Sequence, residues 1–261
     1  EGSKSWINLH LKYTHGFGAA VSPVNRVNEV GQPELLLKDI PPIGSEDLKI
    51  TEPRIYYGEL TNNYVITNTN TKEFDYPSGD NNQEYIYQGE GGIPLGFFNR
   101  ILFALNQGSL RIILSNDINA NSKILINRNI IDRVQKIAPF FEYDSDPYLV
   151  ISEGKLYWII DAFTTSNRYG YSQPFRTNSF NYIRNSVKVV IDAFNGYTTF
   201  YHIDKEDPIS TTYGKIYPNL LKDIDEMPEG IKEHIRYSQT LFDIQSDMYR
   251  TYHMENPTVF Y

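Results

Sequence analysis

The sequence predicts an α+β fold, with antiparallel sheet segments built from hairpins and helices placed between and after them. Three observations lead there. Two apolar runs are each folded back at a turn dipeptide, Glu153-Gly154 and Asn195-Gly196. Apolar residues fall on helical stripes after Gly91-Gly92-Ile93-Pro94 and again near the C-terminus. The chain also carries 21 Tyr and 14 Phe against 3 Met, and aromatic residues suit a pleated, half-buried surface.

In chain order, residues 1–92 read as a loop and β region. Gly16, Gly18, Pro23, Gly31, Pro33, Pro41, Pro42 and Gly44 punctuate the first fifty residues, leaving room for short helices only. Arg54–Glu59 and Tyr64–Asn68 then read as strands about a Thr61-Asn62-Asn63 turn, with further short strands near Glu73–Asp75 and Glu84–Tyr87. Residues 93–140 read as helical. Phe97–Leu105 has one stripe, and Ile124–Ala138 another through Ile130, Val134 and Ile137, with Ser122 as its cap and Pro139 as its stop. Residues 141–205 read as two hairpins, 148–152 with 155–163 and 186–194 with 197–201; Asn-Gly marks a turn that tolerates positive φ. Ile-Asp-Ala-Phe recurs at 160–163 and 191–194, too short an echo to establish a duplication. Residues 206–261 read as helical from about Pro218, with Leu241, Phe242, Ile244, Gln245, Met248 and Tyr252 forming an amphipathic run between Pro228 and Pro257. No Pro/Ser-rich linker separates these parts, so a single domain over 1–261 is expected.

Composition excludes several functions. A formal charge of −8 argues against non-specific nucleic-acid binding, which requires cations to neutralise phosphate, and against electrostatic docking on an anionic leaflet. With no cysteine, thiolate nucleophiles, disulfides and thiolate zinc sites are absent. Nothing approaches the ~18–20 consecutive apolar residues of a membrane span, and Glu1-Gly2-Ser3-Lys4-Ser5 does not open a signal peptide. No nucleophile elbow, P-loop, dinucleotide fingerprint or His-Glu-x-x-His occurs. No residue pattern names a cofactor or an oligomeric state.

A set of short segments resembles, in number and order, the UPF0182 family of uncharacterised bacterial multi-pass membrane proteins. They include Trp6–Gly18, Ser22-Pro23-Val24-Asn25, Lys38–Pro42, Pro53–Glu59, Glu73–Pro77, Asp146–Val150, Asn181–Lys188 and Tyr252-His253-Met254. The resemblance implies several membrane helices before this segment and a large soluble region outside the cytoplasm. On that reading the chain is cut from a longer polypeptide that continues past Phe260-Tyr261, and its own membrane-spanning region is its first partner. The family supplies no accepted activity and no catalytic residues.

The remaining candidates come from the residues themselves, each with an ordinary alternative. His10 and His15, in a Gly-rich segment, can act as base or metal ligand, or simply fix a loop. Asp144 and Asp146 begin like a calcium loop, but Tyr148 and Leu149 occupy the third acidic and the Gly places, so an Asx turn is the better fit. Asp161 and Asp192, near the ends of two strands, could form a facing acid–base pair or each bond a turn amide. Arg54, Tyr56, Tyr57, Tyr169, Tyr171, Tyr182 and Arg184 can line an aromatic cleft for a glycan, peptide or protein partner, or pack on sheet edges. The leading expectation is a non-enzymatic extracytoplasmic module binding an envelope ligand or partner. The alternatives are a hydrolase of envelope polysaccharide or peptide, with Asp161, Asp192 and His15 to test, and a purely structural domain of a membrane assembly.

Overall fold

The computed structural model describes residues 5–175, 180–253, 256 and 258; the readings made at Glu1–Lys4, Met254, Pro257 and Phe260-Tyr261 lie outside them. The elements in order are β1 (Gly16–Phe17), β2 (Leu37–Lys38), β3 (Ile43–Gly44), β4 (Arg54–Ile55), β5 (Val65–Thr67), β6 (Glu73–Ser78), β7 (Asn81–Tyr85), β8 (Ile93–Pro94), α1 (Phe97–Asn106), α2 (Arg111–Leu114), β9 (Lys123–Leu125) and α3 (Ile130–Ile137). Then follow β10 (Glu142–Tyr143), β11 (Tyr148–Ser152), β12 (Lys155–Ser166), β13 (Tyr182–Asp192), β14 (Thr198–His202), α4 (Pro208–Ile216), β15 (Leu221–Asp223), α5 (Glu229–Lys232) and α6 (Gln239–Tyr252). Helix makes up 25% and strand 29%, in several small sheets, so the α+β class holds.

The chain folds as two compact units. The first comprises residues 1–133, 151–157 and 191–197; the second comprises 134–150, 158–190 and 198–261. In the first unit the strands are short and locally paired: β1 with β4, β2 with β3, β6 with β7, and β9 between β5 and β8. A core of Leu11, Ile66, Leu95, Ala104, Ile112, Ile118 and Ile124 fills it, with Trp6, Tyr64 and Phe103 packed alongside. Before it, Asn8–Lys12 forms one wide helical turn, closed by Tyr13 N–H on Asn8 O at 2.8 Å. The second unit carries most of the one large sheet, ordered β10-β12-β13-β14-β15 with β11 also paired to β12. Ile159, Ile160, Ala162, Val187 and Val189 are fully buried there.

Several expectations are corrected. The helix expected over Ile124–Ala138 begins only at Ile130, because Ile124 and Leu125 pair as strand with Val65 and Ile66. Its cap is Asn129, whose Oδ1 accepts from Ile131 N and Asp132 N. Ser122 instead donates its hydroxyl to Asn68 O. Arg54–Glu59 is strand only at its first two residues, since Tyr56 and Tyr57 N–H both turn to Ala193 O at 2.9 Å. Within the C-terminal helical stretch, Leu221–Asp223 forms a strand parallel to β14. The Glu153-Gly154 turn has both residues at positive φ, 50° and 75°, the type I′ geometry. At Asn195-Gly196 only Gly196 is positive, at φ 75°. That loop is longer, closed by Gly196 N–H on Asp192 O at 2.8 Å and Asp192 N–H on Tyr197 O at 2.9 Å.

Candidate functional site

Two arrangements stand out, one in each unit. In the first unit, β6 alternates its side chains, so Glu73 and Asp75 point to the same side and both are buried. Glu73 Oε2 accepts from the Thr14 hydroxyl and from Tyr56 OH at 2.7 Å, while Oε1 accepts from Tyr87 N at 3.1 Å. Asp75 receives the Arg54 fork, Nε at 2.8 Å and Nη2 at 2.6 Å, and Arg54 Nη1 reaches Glu52 at 3.0 Å. The guanidinium also lies 3.5 Å above the Tyr85 ring.

His15 sits between the two carboxylates with its side chain fully buried. Its Nε2 is 3.2 Å from Asp75 Oδ1 and its Nδ1 is 2.9 Å from Thr14 Oγ1. Thr14 spends its single proton on Glu73, so Nδ1 must donate. Nε2 faces a carboxylate, so it donates too. Both ring nitrogens are therefore placed to donate, an arrangement that favours the imidazolium form. The electrostatics agree. Burial alone would lower its pKa, but the bonds to Asp75 and Glu73 and their charges outweigh burial and raise it. Asp75 is held below the usual carboxylate range: burial would raise it, and His15 and Arg54 more than reverse that. Burial, reinforced by the Glu73 carboxylate, pushes the Tyr56 hydroxyl far up, so it stays a donor. Beside the cluster, Arg128 is buried with carbonyls as acceptors, Tyr56 O at 2.7 Å, Asn63 O at 3.0 Å and Thr14 O, and burial lowers its pKa to about 10. Each charged side chain of the cluster, His15, Arg54, Glu73 and Asp75, has an opposite charge beside it. The cluster ties β1, β4 and β6 together.

His10 lies nearby in sequence but has a different role. Its Nδ1–H donates to Tyr64 O at 2.7 Å, and its ring stacks on Tyr64 at 4.0 Å. Tyr57 is buried under the Arg133 guanidinium, 4.9 Å from the ring centre. Asp192 Oδ1 accepts from Phe194 N at 2.8 Å and Asn195 N at 2.9 Å, an Asx turn closing the loop.

In the second unit Asp161 forms a buried ion pair with Lys188 and accepts from Asn185 Nδ2 at 2.7 Å; Lys188 Nζ also reaches Arg236 O at 3.0 Å. The two aspartates that echo in sequence therefore have separate sets of partners. Asp144 Oδ1 accepts from Asp146 N at 3.1 Å, the Asx turn, while Asp146 pairs with Arg236 at 2.8 Å. Among the described residues no group of three His, Asp or Glu is placed to hold a metal.

Tyr169, Tyr171 and Tyr182 do come together. With Phe175, Phe180, Ile183 and, from α6, Ile244, Asp247, Met248 and Arg250, they line an open cleft of about 580 Å³. Tyr169 stacks on Tyr182 with centroids 5.5 Å apart. The loop that presents Tyr169 and Tyr171 is pinned by Asn181, whose Oδ1 accepts from Tyr169 N at 3.1 Å and whose Nδ2 donates to Tyr169 O and Ser172 O at 2.8 and 2.9 Å. Tyr171 holds φ 57° with its ring fully exposed, a conformation that a bulky residue adopts at some cost. Tyr182 OH donates to Asp207 at 2.8 Å; burial and that bond push its pKa up to about 12. Asp207 also accepts from Ser186 and Thr164 at 2.6 and 2.7 Å and caps α4. Burial alone would raise its pKa, and these donors pull it down to about 2. Arg184 lies outside the cleft, paired to Asp204 at 3.0 Å. Glu73, Asp75, Lys188, Asn181 and Asp207 were missed from sequence. Only Glu73-x-Asp75, two acids alternating with the aromatic Phe74 and Tyr76 and so on one strand face, carried a signal.

A family model described as "Uncharacterised protein family (UPF0182)" matches residues 1–261. Similar curated proteins include UPF0182 proteins of Alkaliphilus metalliredigens, 54% identical over 261 residues covering all of this chain and 28% of the relative, and of Clostridium botulinum strain Kyoto, 54% identical over 257 residues covering 98% and 29%. A UPF0182 protein of Clostridium acetobutylicum is likewise 54% identical over 257 residues, 98% of this chain and 28% of the relative. The chain thus spans less than a third of the length of the curated relatives it matches. No solved structure matches it.

Proposed function

The chain belongs to UPF0182, an uncharacterised protein family, and from that premise we propose that it is an extracytoplasmic, non-enzymatic module that binds an envelope glycan or peptide in the aromatic cleft of its second unit. The observation that carries this is the cleft itself. It gathers three tyrosines with two phenylalanines around a volume of about 580 Å³, within the ~300–1,000 Å³ of small-ligand sites. Stacked rings suit the apolar face of a sugar or a peptide side chain. Tyr182 is fixed by Asp207, and Arg250 and Asp247, paired at 3.3 Å, add a polar edge to the lining. The tie of the Tyr169 loop to Asn181 supports a preformed wall.

The reading as a binding module draws on the same geometry. His15, Glu73 and Asp75 are buried in mutual pairing, Asp161 is matched by Lys188, and Asp192 is spent on its turn. None is left as a free general base. Placement outside the cytoplasm and attachment to a membrane region rest on the family resemblance and on the relatives' greater length. No helix among the described residues is long and apolar enough to cross a membrane.

The test is a calorimetric titration of the purified chain with soluble peptidoglycan fragments and neutral oligosaccharides, against Tyr169→Ala and Tyr182→Phe. Binding that weakens about tenfold or more in Tyr169→Ala supports the reading, since a lost ring contact of about 0.5–1.5 kcal/mol plus its buried area reaches the ~1.4 kcal/mol of a tenfold change. Turnover of any fragment, or binding indifferent to both substitutions, contradicts it. In the full-length protein of a relative, with its own cysteines replaced, a single cysteine introduced in the matching segment reports sidedness; labelling from the cytoplasm alone would defeat the extracytoplasmic placement.

A further inference from the structure

The first unit exposes a second kind of surface. On α1, Phe98, Leu102 and Leu105 fall at i, i+4 and i+7, one stripe of the helix, and are 78%, 62% and 74% exposed. Phe97 beside them is 74% exposed with its ring 5.6 Å from that of Phe98. From the α2 segment that follows, Leu110 and Leu114 are 69% and 74% exposed. The opposite faces are committed to the core through Ala104 and Ile112, and Arg100 fastens the two helices by donating to Ile112 O, Ile113 O and Ser115 O. With roughly 150–250 Å² per large side chain, the six project on the order of 700 Å² of apolar surface, more than the ~300–600 Å² of the largest patch on an ordinary monomer.

We propose that this face, the outer sides of α1 and α2, docks on an anionic lipid bilayer, inserting its phenylalanine and leucine side chains at the headgroup boundary. The charge pattern selects that occupant. The chain as a whole is acidic, yet residues 91–116 contain no Asp or Glu, and their only charges are Arg100 and Arg111. Arg111 is exposed on α2. An apolar stripe edged by arginine and free of carboxylate is the pattern of a helix lying in a membrane interface. The acidity of the rest of the surface then orients the chain, keeping other faces off an anionic leaflet while this one approaches. The side chains project from the surface instead of lining a groove, which suits a fluid acceptor.

Flotation of the purified chain with vesicles tests this, using phosphatidylcholine alone and phosphatidylcholine mixed with phosphatidylglycerol in equal parts. The chain should float with the mixed vesicles and more weakly with the neutral ones. Phe98→Glu and Leu105→Glu should each lower the partition coefficient about tenfold or more. Leu105→Lys should lose less on the mixed vesicles than Leu105→Glu. These residues are exposed, so circular dichroism and the melting curve should be unchanged and the variants remain interpretable. No flotation with either vesicle overturns the proposal, as does flotation unaffected by the glutamate variants. A dimer in sedimentation analysis that the same variants dissolve would assign the face to a second copy and also overturn it. Glycan binding in the cleft is measured on the same samples, so failure of one reading is separate from failure of the other.

Discussion

Replacing Lys188 with methionine should destabilise the second unit more than any surface change. Lys188 and Asp161 are 1% and 3% exposed, so removing the ammonium leaves a buried carboxylate with only the Asn185 amide as partner. Arg236 O loses its donor as well. Breaking one side of a buried pair costs about 3–5 kcal/mol, mainly from the uncompensated charge. Removing both charges, as Lys188→Met with Asp161→Leu, leaves the Arg236 carbonyl as in the single variant and replaces the unpaired charge by an unsatisfied Asn185 amide, about 1–3 kcal/mol for that group. The double variant should therefore be more stable than Lys188→Met alone, with a coupling energy of at least ~2 kcal/mol. The chain holds two tryptophans, Trp6 in the first unit and Trp158 in the second. Urea unfolding in a Trp6→Phe background, followed by Trp158 fluorescence, isolates the unit concerned. With m near 2 kcal/mol/M the single variant should lower the midpoint by about 1.5–2.5 M. A loss under ~1 kcal/mol, or additive single effects, would refute the claim that the pair is buried and mutually dependent.

Other consequences follow from the same geometry. The His15 pKa in the fold is raised above the 6.5 of an unfolded chain, so its stabilisation is fully present below about pH 6.5 and is lost as pH rises through the folded value; Trp6-monitored melts should show that decline, and His15→Gln should flatten it. Asp207, lowered from 3.8 to about 2, stabilises above pH 3.8 and loses that effect as pH falls towards 2, so Asp207→Asn should flatten the acid limb reported by Trp158. The same position caps α4 and takes three hydroxyls, so Asp207→Ala should cost about 2–4 kcal/mol in urea melts. Gly196→Ala should cost more than ~1 kcal/mol, because its φ is 75° and a Cβ would lie 2.5 Å from the Tyr57 ring; a neutral result by thermal melt would contradict that packing.

Long-period features were legible from the sequence, and small ones were not. The β11–β12 hairpin and α1 were readable because turn chemistry and a helical stripe are local signals. Ile124-Leu125 was read as helix because an apolar pair fits either period, and only the partner strand Val65–Thr67 decides it. β15 was unreadable for the same reason: three residues pairing in parallel with β14 leave no alternation to detect. Of the proposed ligand residues, Tyr169, Tyr171 and Tyr182 do share a cleft, whereas Tyr56 and Arg54 belong to a buried cluster whose carboxylates, Glu73 and Asp75, were read only as strand. Lys188 gave no warning, since a lysine among valines reads as an exposed strand position until its partner Asp161 is placed in space.

Hydrogen–deuterium exchange of the chain with and without saturating peptidoglycan fragments tests the central claim most directly. The account predicts protection confined to 169–175, 180–183 and the 244–250 stretch of α6, with 14–15, 54–57 and 73–75 unchanged. Protection at the His15 cluster with none in the cleft would contradict it.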